Sequence, residues 1–394
     1  MRIRIKEASV NLLLLLGTIA IAYLVLEVLF FRVVLIHWPP GMTIYLPETA
    51  DVLAQNSKTG PLPRDYVVLL GDSYAKGVGD WLLDAGDNRS LPYHSANVIH
   101  DGLKRDVVDF GRSNAGSAET LVRAPTHIIE GSRCFLFPDI DEPASIVVYF
   151  YEGNDVRDNL LFLEDVKAAY GENGPAQIDR YLSENYAVFA HWRCHLHLGD
   201  VLTRAMKQYY YMLVYGVAVG LPPPGKENSI IVAGQKTTAP YLEGPAAALT
   251  DQQIDAAAGV FDRSMVWLRR RFPGVPVTAV YIPGPLSVYR FATDTAFYYN
   301  RTRKSAFEYG QVPVAQIGKV STLLCGLVRQ ASIQNGAGFV DSRPKLRALA
   351  QAEEIHGPRD WGHINRAGYT ALGNLVVDRL KNPNAGPDAC AAAP

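Results

Sequence analysis

An apolar run close to the start of the chain constrains it more than any other feature. Arg2, Arg4 and Lys6 precede a stretch from Val10 to Leu26 relieved only by Asn11, Gly17, Thr18 and Tyr23. Past Glu27 the run resumes as Val28 to Phe31 and, after Arg32, as Val33 to Ile36. As a helix the part before Glu27 would span roughly 26 Å, against about 30 Å for a bilayer core. Glu27 and Arg32 then fall near the far interface, with Trp38 beyond them and Pro39-Pro40 ending the helix. Positive charge before the span and little after it predicts a cytoplasmic N-terminus (1–9), a signal anchor (10–36) and an extracytoplasmic body. A cleaved signal peptide would carry a shorter apolar region ending in a small-x-small site, and none is evident near residue 30. A buried helix of a soluble core would not need so long an apolar run.

The body reads as an ordinary globular protein. Hydrophobic residues make up 48% and charged residues 20% of the 394, with a formal net charge of −1. That balance, with no basic stripe, excludes a nucleic-acid partner held by bulk electrostatics. An extracytoplasmic location would permit its four cysteines to be oxidised, and Cys134 with Cys194 and Cys325 with Cys390 is the expected pairing among three. The second bond would tie down a polar tail, residues 382–394.

Residues 37–64 are rich in Pro and polar residues and read as a linker. A β/α alternation then begins. Short apolar runs at 66–70, 105–110, 145–151, 275–282 and 338–340 read as five strands. Helical patterns fall at 95–103, 118–129, 251–272, 314–330 and 365–380, the third opened by Thr250 and Gln253 at capping-box spacing. Such alternation predicts a parallel sheet covered on both faces over residues 65–381. The interval 156–250 breaks the rhythm with a Tyr-rich patch (Tyr209, Tyr210, Tyr211, Tyr215) and Pro222-Pro223-Pro224-Gly225. It reads as an insertion, helical in its first half. The stretch 209–221 is too short to span a bilayer and reads as a helix packed on the body, with a lid or a lipid contact as the alternatives.

Four pieces carry candidate chemistry. Gly71-Asp72-Ser73 follows the first strand, at the carboxyl edge where open α/β sheets place their sites. Asp109-Phe110-Gly111-Arg112-Ser113-Asn114-Ala115-Gly116-Ser117 follows the second, with small residues that let backbone amides approach a ligand. Glu152-Gly153-Asn154-Asp155 follows the third, where the Asn154 side chain could donate to a developing oxyanion. Asp360-Trp361-Gly362-His363 opens the last helix, at a spacing that lets the Asp360 carboxylate orient the His363 ring. Each alone is an ordinary cap or turn; their order along the chain carries the signal. His191, His195 and His197 with Cys194 lack a second ligand cluster, and no metal or other cofactor is expected. Arg157, Asp158 and His356 lie near the motifs, where capping or surface roles suffice, and 281–289 could line a cleft.

On these motifs the chain resembles the SGNH (GDSL-like) hydrolases over most of residues 65–380, apart from the insertion. The resemblance implies a three-layer, flavodoxin-like fold with a parallel five-stranded sheet. It implies Ser73 as nucleophile, His363 as base and Asp360 as its orienting acid, with Ser73 N–H and Asn154 at the oxyanion and Asn114 and Asp155 touching substrate. The second block departs from the family pattern. A gapless reading places Asn114 at the oxyanion position, whereas a shift of two residues places Gly116 there, and Gly116 is the favoured reading. Single-anchor proteins of this outline are similar to alginate acetyltransferase-like proteins. That implies an esterase or O-acetyltransferase at the cytoplasmic membrane, facing the periplasm and acting on polysaccharide, with a membrane acyl-donor protein as partner. A lipid esterase or thioesterase, and a non-catalytic polysaccharide-binding subunit, are the rival readings.

Overall fold

Continuous apolar runs make strands that must be covered on both faces. Five of them, β1 (Val67–Leu70), β2 (Val107–Asp109), β3 (Ser145–Tyr151), β7 (Val277–Ile282) and β11 (Gly338–Asp341), form one parallel sheet in the order β11-β7-β3-β1-β2. Register pairs Val67 with Val107, Leu70 with Val148, Tyr151 with Ile282 and Asp341 with Tyr281. These coordinates are a computed structural model that describes residues 2–39, 46, 48–85, 91–134, 139–189, 197–215, 227–301 and 307–391.

Alternation along the strands divides the core. Val68, Leu70, Ile146, Val148 and Phe150 face the helices Asp251–Arg271 and Val314–Gln334. Val67, Leu69, Val147, Tyr149 and Tyr151 face the helices Ser95–Leu103, Arg343–Ala352 and Arg366–Lys381. The expected three-layer α/β fold with a parallel five-stranded sheet is therefore present. The capping box forms as read: Gln253 N donates to Thr250 Oγ1 at 3.2 Å and Thr250 N to Gln253 Oε1 at 3.0 Å. From β1 the chain runs outward to β2 and then returns past β1 to β3, so the order reverses between β1 and β3. Open sheets place their ligand crevice at such a reversal.

The inserted interval is helical at Asn154–Tyr170, Pro175–Asn185 and His197–Tyr215. It then supplies β4 (Asn228–Val232), β5 (Gln235–Ala239) and β6 (Leu242–Glu243). With β8 (Arg290–Phe291), β9 (Thr295–Arg301) and β10 (Phe307–Pro313) these build two small sheets, β5-β4-β8 and β10-β9-β6, which strand reading of the sequence did not anticipate.

The N-terminal helix Arg2–Leu29 widens into a π turn at Phe30–Val34 and tightens at Leu35–His37. Over Ser9–His37 it is long and apolar enough to cross a membrane. Apolar side chains from Val10 to Leu29 stand exposed, whereas Phe30, Phe31 and Leu35 are buried in the body's core. Glu27 is buried too, accepting a hydrogen bond from Leu198 N at 3.0 Å rather than facing an interface alone.

Residues 48–59, read as linker, belong to the body. The helix Glu48–Ala54 buries Ala50, Val52 and Leu53, and Asp51 forms an ion pair with Lys76. Gln55 exchanges two hydrogen bonds of 2.8 Å with the Asp109 backbone, and Ser57 O accepts from Val107 N at 2.8 Å. At the other end Cys325 and Cys390 form the expected disulfide, and Arg379 binds Ala385 O and Asp388 at 2.7 and 2.9 Å. Cys134 is oxidised, but its expected partner Cys194, like His191 and His195, lies outside the described residues, as does Pro222-Pro223-Pro224-Gly225.

Candidate active site

The turn after β1 presents Ser73. Asp72 caps the single helical turn Ser73–Lys76, its Oδ1 accepting from Tyr74 N at 2.9 Å. The loop before the last helix brings His363 to it from the opposite end of the sequence. Ser73 Oγ lies 2.8 Å from His363 Nε2, and His363 Nδ1 lies 2.7 Å from Asp360 Oδ2. Asp360 Oδ1 also accepts from Gly362 N at 2.8 Å, which helps hold the carboxylate beside the ring. Gly79, at φ +103°, backs this arrangement: a Cβ there would lie 2.7 Å from the Cβ of His363. Three side chains from two distant motifs thus form one hydrogen-bonded chain at the carboxyl edge of the sheet.

The electrostatics suit a neutral ring that gains a proton. Burial alone would push the His363 imidazole down, but the charge and hydrogen bond of Asp360, followed by Glu243 and Asp72, carry it above its ordinary value. Burial also opposes ionisation of Asp360, yet His363 and the Gly362 N–H hold it below the usual carboxylate range. Asp72 behaves oppositely. Fully buried, it is pushed up to about 7 against the Tyr74 N–H bond, and its Oδ2 lies 3.3 Å from Ser73 Oγ as a second acceptor.

Asn154 opens the helix Asn154–Tyr170 beyond β3, across the reversal from Ser73. Its Nδ2 donates to Asp158 Oδ2 at 3.0 Å, and Arg157 holds Asp158 from Nε and Nη2 at 2.9 and 2.6 Å. Asp155 is buried and accepts from Tyr151 N at 2.9 Å. It closes the turn after β3, which leaves its expected role as a substrate contact without support. Glu152 is equally internal, accepting from Ser321 and Tyr281 at 2.8 and 3.1 Å, and from Ser287.

In the second block the two candidate amides sit differently. Asn114 is exposed and adopts φ +55°, the left-handed conformation that glycine takes most readily and Asn tolerates better than most. Gly116 is buried against the helix Asn154–Tyr170, where a Cβ would lie 2.6 Å from Asn159 Oδ1. Asn114 and Gly116 both line an open groove of about 410 Å³, with Arg112, Glu119, Asp158 and Tyr186. His356 is buried with Tyr289 and does not reach the groove.

No sequence motif pointed to Glu243, contributed by β6. Tyr151 donates to its Oε2 at 3.2 Å and, at 3.3 Å, to Gly362 O, so the inserted sheet leans on the peptide that precedes His363. Among the described residues the one grouping of metal-type donors, Cys325, Asp341 and Cys390, has both sulfurs joined in the disulfide.

No family model and no curated protein sequence matches the chain. Among solved structures it is similar to phospholipase A1 from Streptomyces albidoflavus NA297, at 14% identity and a TM-score of 0.38, covering 80% of this chain and 98% of that one. It is similar to an extracellular lipase from Streptomyces rimosus at 15% and 0.37, over 80% and 98%. An acetyl xylan esterase, Est2A from Butyrivibrio proteoclasticus, gives 9% and 0.34, over 83% and 66%.

Proposed function

We propose that this chain is a membrane-anchored, extracytoplasmic serine esterase or O-acyltransferase of the SGNH type, working through an acyl-Ser73 intermediate. The observation that carries the reading is the hydrogen-bonded chain Ser73–His363–Asp360 at 2.8 and 2.7 Å. In it, His363 Nε2 takes the hydroxyl proton as Ser73 Oγ attacks the ester carbonyl. The leaving alkoxide then receives that proton from the imidazolium, which Asp360 holds in place. Water or a second hydroxyl next attacks the acyl-serine with His363 again as base, releasing the acid or the transferred ester.

The oxyanion donors in this reading are Ser73 N, the second Nδ2–H of Asn154 and the backbone N–H of Asn114. The left-handed φ of Asn114 supports it as the second-block donor, with Gly116, which lines the same groove, as the alternative. The groove favours a hydroxyl-rich substrate. It is open, and Arg112, Asn114, Glu119 and Asp158 line it beside Phe162 and Tyr186, a mixture suited to polysaccharide. An acetyl group is the acyl unit we assign, and the apolar segment Ser9–His37, exposed over most of its length, is the membrane anchor in this reading.

The test is p-nitrophenyl acetate turnover by the full chain in detergent, beside Ser73→Ala, with and without oligosaccharide acceptors. Release that disappears in Ser73→Ala supports the acyl-enzyme, and acceptor-stimulated release with an acetylated glycan product supports transfer over hydrolysis. Turnover equal in both proteins, with both folded, would sink the reading.

A further inference from the structure

The helix His197–Tyr215 carries an apolar stripe exposed among the described residues. Leu202, Met206 and Tyr210 are 52%, 65% and 59% exposed and recur every fourth residue. The opposite side of the helix is occupied: Val201 is buried in the core that holds Phe30, Phe31 and Leu35, and Arg204 Nη1 reaches Leu46 O at 3.5 Å.

The first turn of this helix is fastened to the N-terminal helix. Leu198 N donates to Glu27, and Gly199 approaches so closely that a Cβ would lie 3.0 Å from the Tyr23 hydroxyl. Tyr23 lies one turn from Glu27 toward the exposed apolar span. At about 100° per residue, Leu202, Met206 and Tyr210 fall within an arc of about 80°, and Gly199 falls inside that arc. The stripe therefore continues the side of the helix that meets the N-terminal helix. The first turn of His197–Tyr215 meets the N-terminal helix at Tyr23 and Glu27, just before the packed residues Phe30 and Phe31. The sequence then runs on through Tyr209, Tyr210, Tyr211, Met212, Leu213, Val214 and Tyr215, a composition suited to the headgroup region.

We propose that His197–Tyr215 lies in the membrane surface beside the anchor, with Leu202, Met206 and Tyr210 immersed about 5–10 Å into the headgroup and acyl boundary. The occupant of this face is the lipid bilayer. The inference rests on the reading of Ser9–His37 as a membrane span.

The experiment places an environment-sensitive fluorophore on Met206→Cys, Ile21→Cys or Ser183→Cys in the full chain, reconstituted in phosphatidylcholine nanodiscs. Cys134, Cys325 and Cys390 are oxidised and do not compete for the label. Ser183 is exposed on the helix Pro175–Asn185 and serves as the solvent control. Nitroxide lipids labelled at the headgroup or near the chain end then report depth. The expected result is loss of fluorescence at position 206 with the headgroup nitroxide, at position 21 with the deep one, and with neither at 183. Quenching at 21 with position 206 matching the solvent control would overturn the proposal while leaving the anchor standing. Quenching at 206 by the deep nitroxide alone would overturn the surface placement. Absence of quenching at 21 would remove the anchor, and the proposal with it.

Discussion

Glu243 shows how a residue outside every motif bears on the base. Its carboxylate, raised by burial and lowered again by His363 and Arg157, adds to Asp360 in favouring the protonated ring. The proposed mechanism needs His363 neutral, and its imidazole is raised above the ordinary 6.5. Activity should therefore be full above that raised value and fall as pH drops through it. Replacing Glu243 by Gln removes one source of the elevation, so the acid limb of kcat/KM should move to lower pH, read from a pH–rate profile of the two proteins. An unmoved limb would show that Asp360 and Asp72 account for the shift. Asn154→Ala should lower kcat by about 10²–10³, the ordinary cost of losing one oxyanion donor. Its thermal unfolding should stay close to that of the parent, because Arg157 still holds Asp158.

At the scale of elements, the candidate site's edge was legible because it sits on buried parallel strands, which read as unbroken apolar runs such as Val67–Leu70 and Ser145–Tyr151. The loops that end those strands carry Ser73 and Asn154, so finding the strands located the residues. The small sheets were not legible for the converse reason. Gln235–Ala239 is mostly exposed and polar, and Leu242–Glu243 and Arg290–Phe291 are too short to show any period. Glu243 was missed with its strand. The helix Glu48–Ala54 was missed because seven residues among prolines leave no helical pattern to count. The left-handed φ of Asn114 is a property that a run of small residues does not reveal. The tail was legible only through Cys390. Its bond to Cys325 closes a loop of 65 residues, worth about 4 kcal/mol by chain entropy alone. Cys325→Ser with Cys390→Ser should lower stability in chemical denaturation by about 2–4 kcal/mol. A smaller loss would mean that Arg379 holds the tail unaided.

For the whole molecule, the N-terminal segment is part of the folded unit. The helix Glu48–Ala54 packs in one cluster with Phe30, Leu35 and Val68, and Gln55 and Ser57 extend the hydrogen bonding of β2. Burial of Val52 and Leu53 alone is worth about 3–6 kcal/mol as an upper figure. A chain begun at residue 60 should consequently unfold at markedly lower denaturant than one begun at residue 41, although both keep Ser73, Asp360 and His363. Equal midpoints would show that residues 48–59 are dispensable to the fold.

The ion pair between Asp51 and Lys76 adds a consequence for where such an enzyme can work. Lys76 ends the turn that Ser73 begins, and Asp51 belongs to the helix that packs against Phe30, Phe31 and Leu35 at the end of the N-terminal helix. On the proposed reading, the nucleophile is thus carried on a bracket and not on a leash. A leashed hydrolase samples every distance within the reach of its tether, whereas a bracketed one holds its serine at a set height above the lipid. Polymer passing through that thin shell would be modified as it moves by. Material lying farther out would escape, however long the enzyme waited.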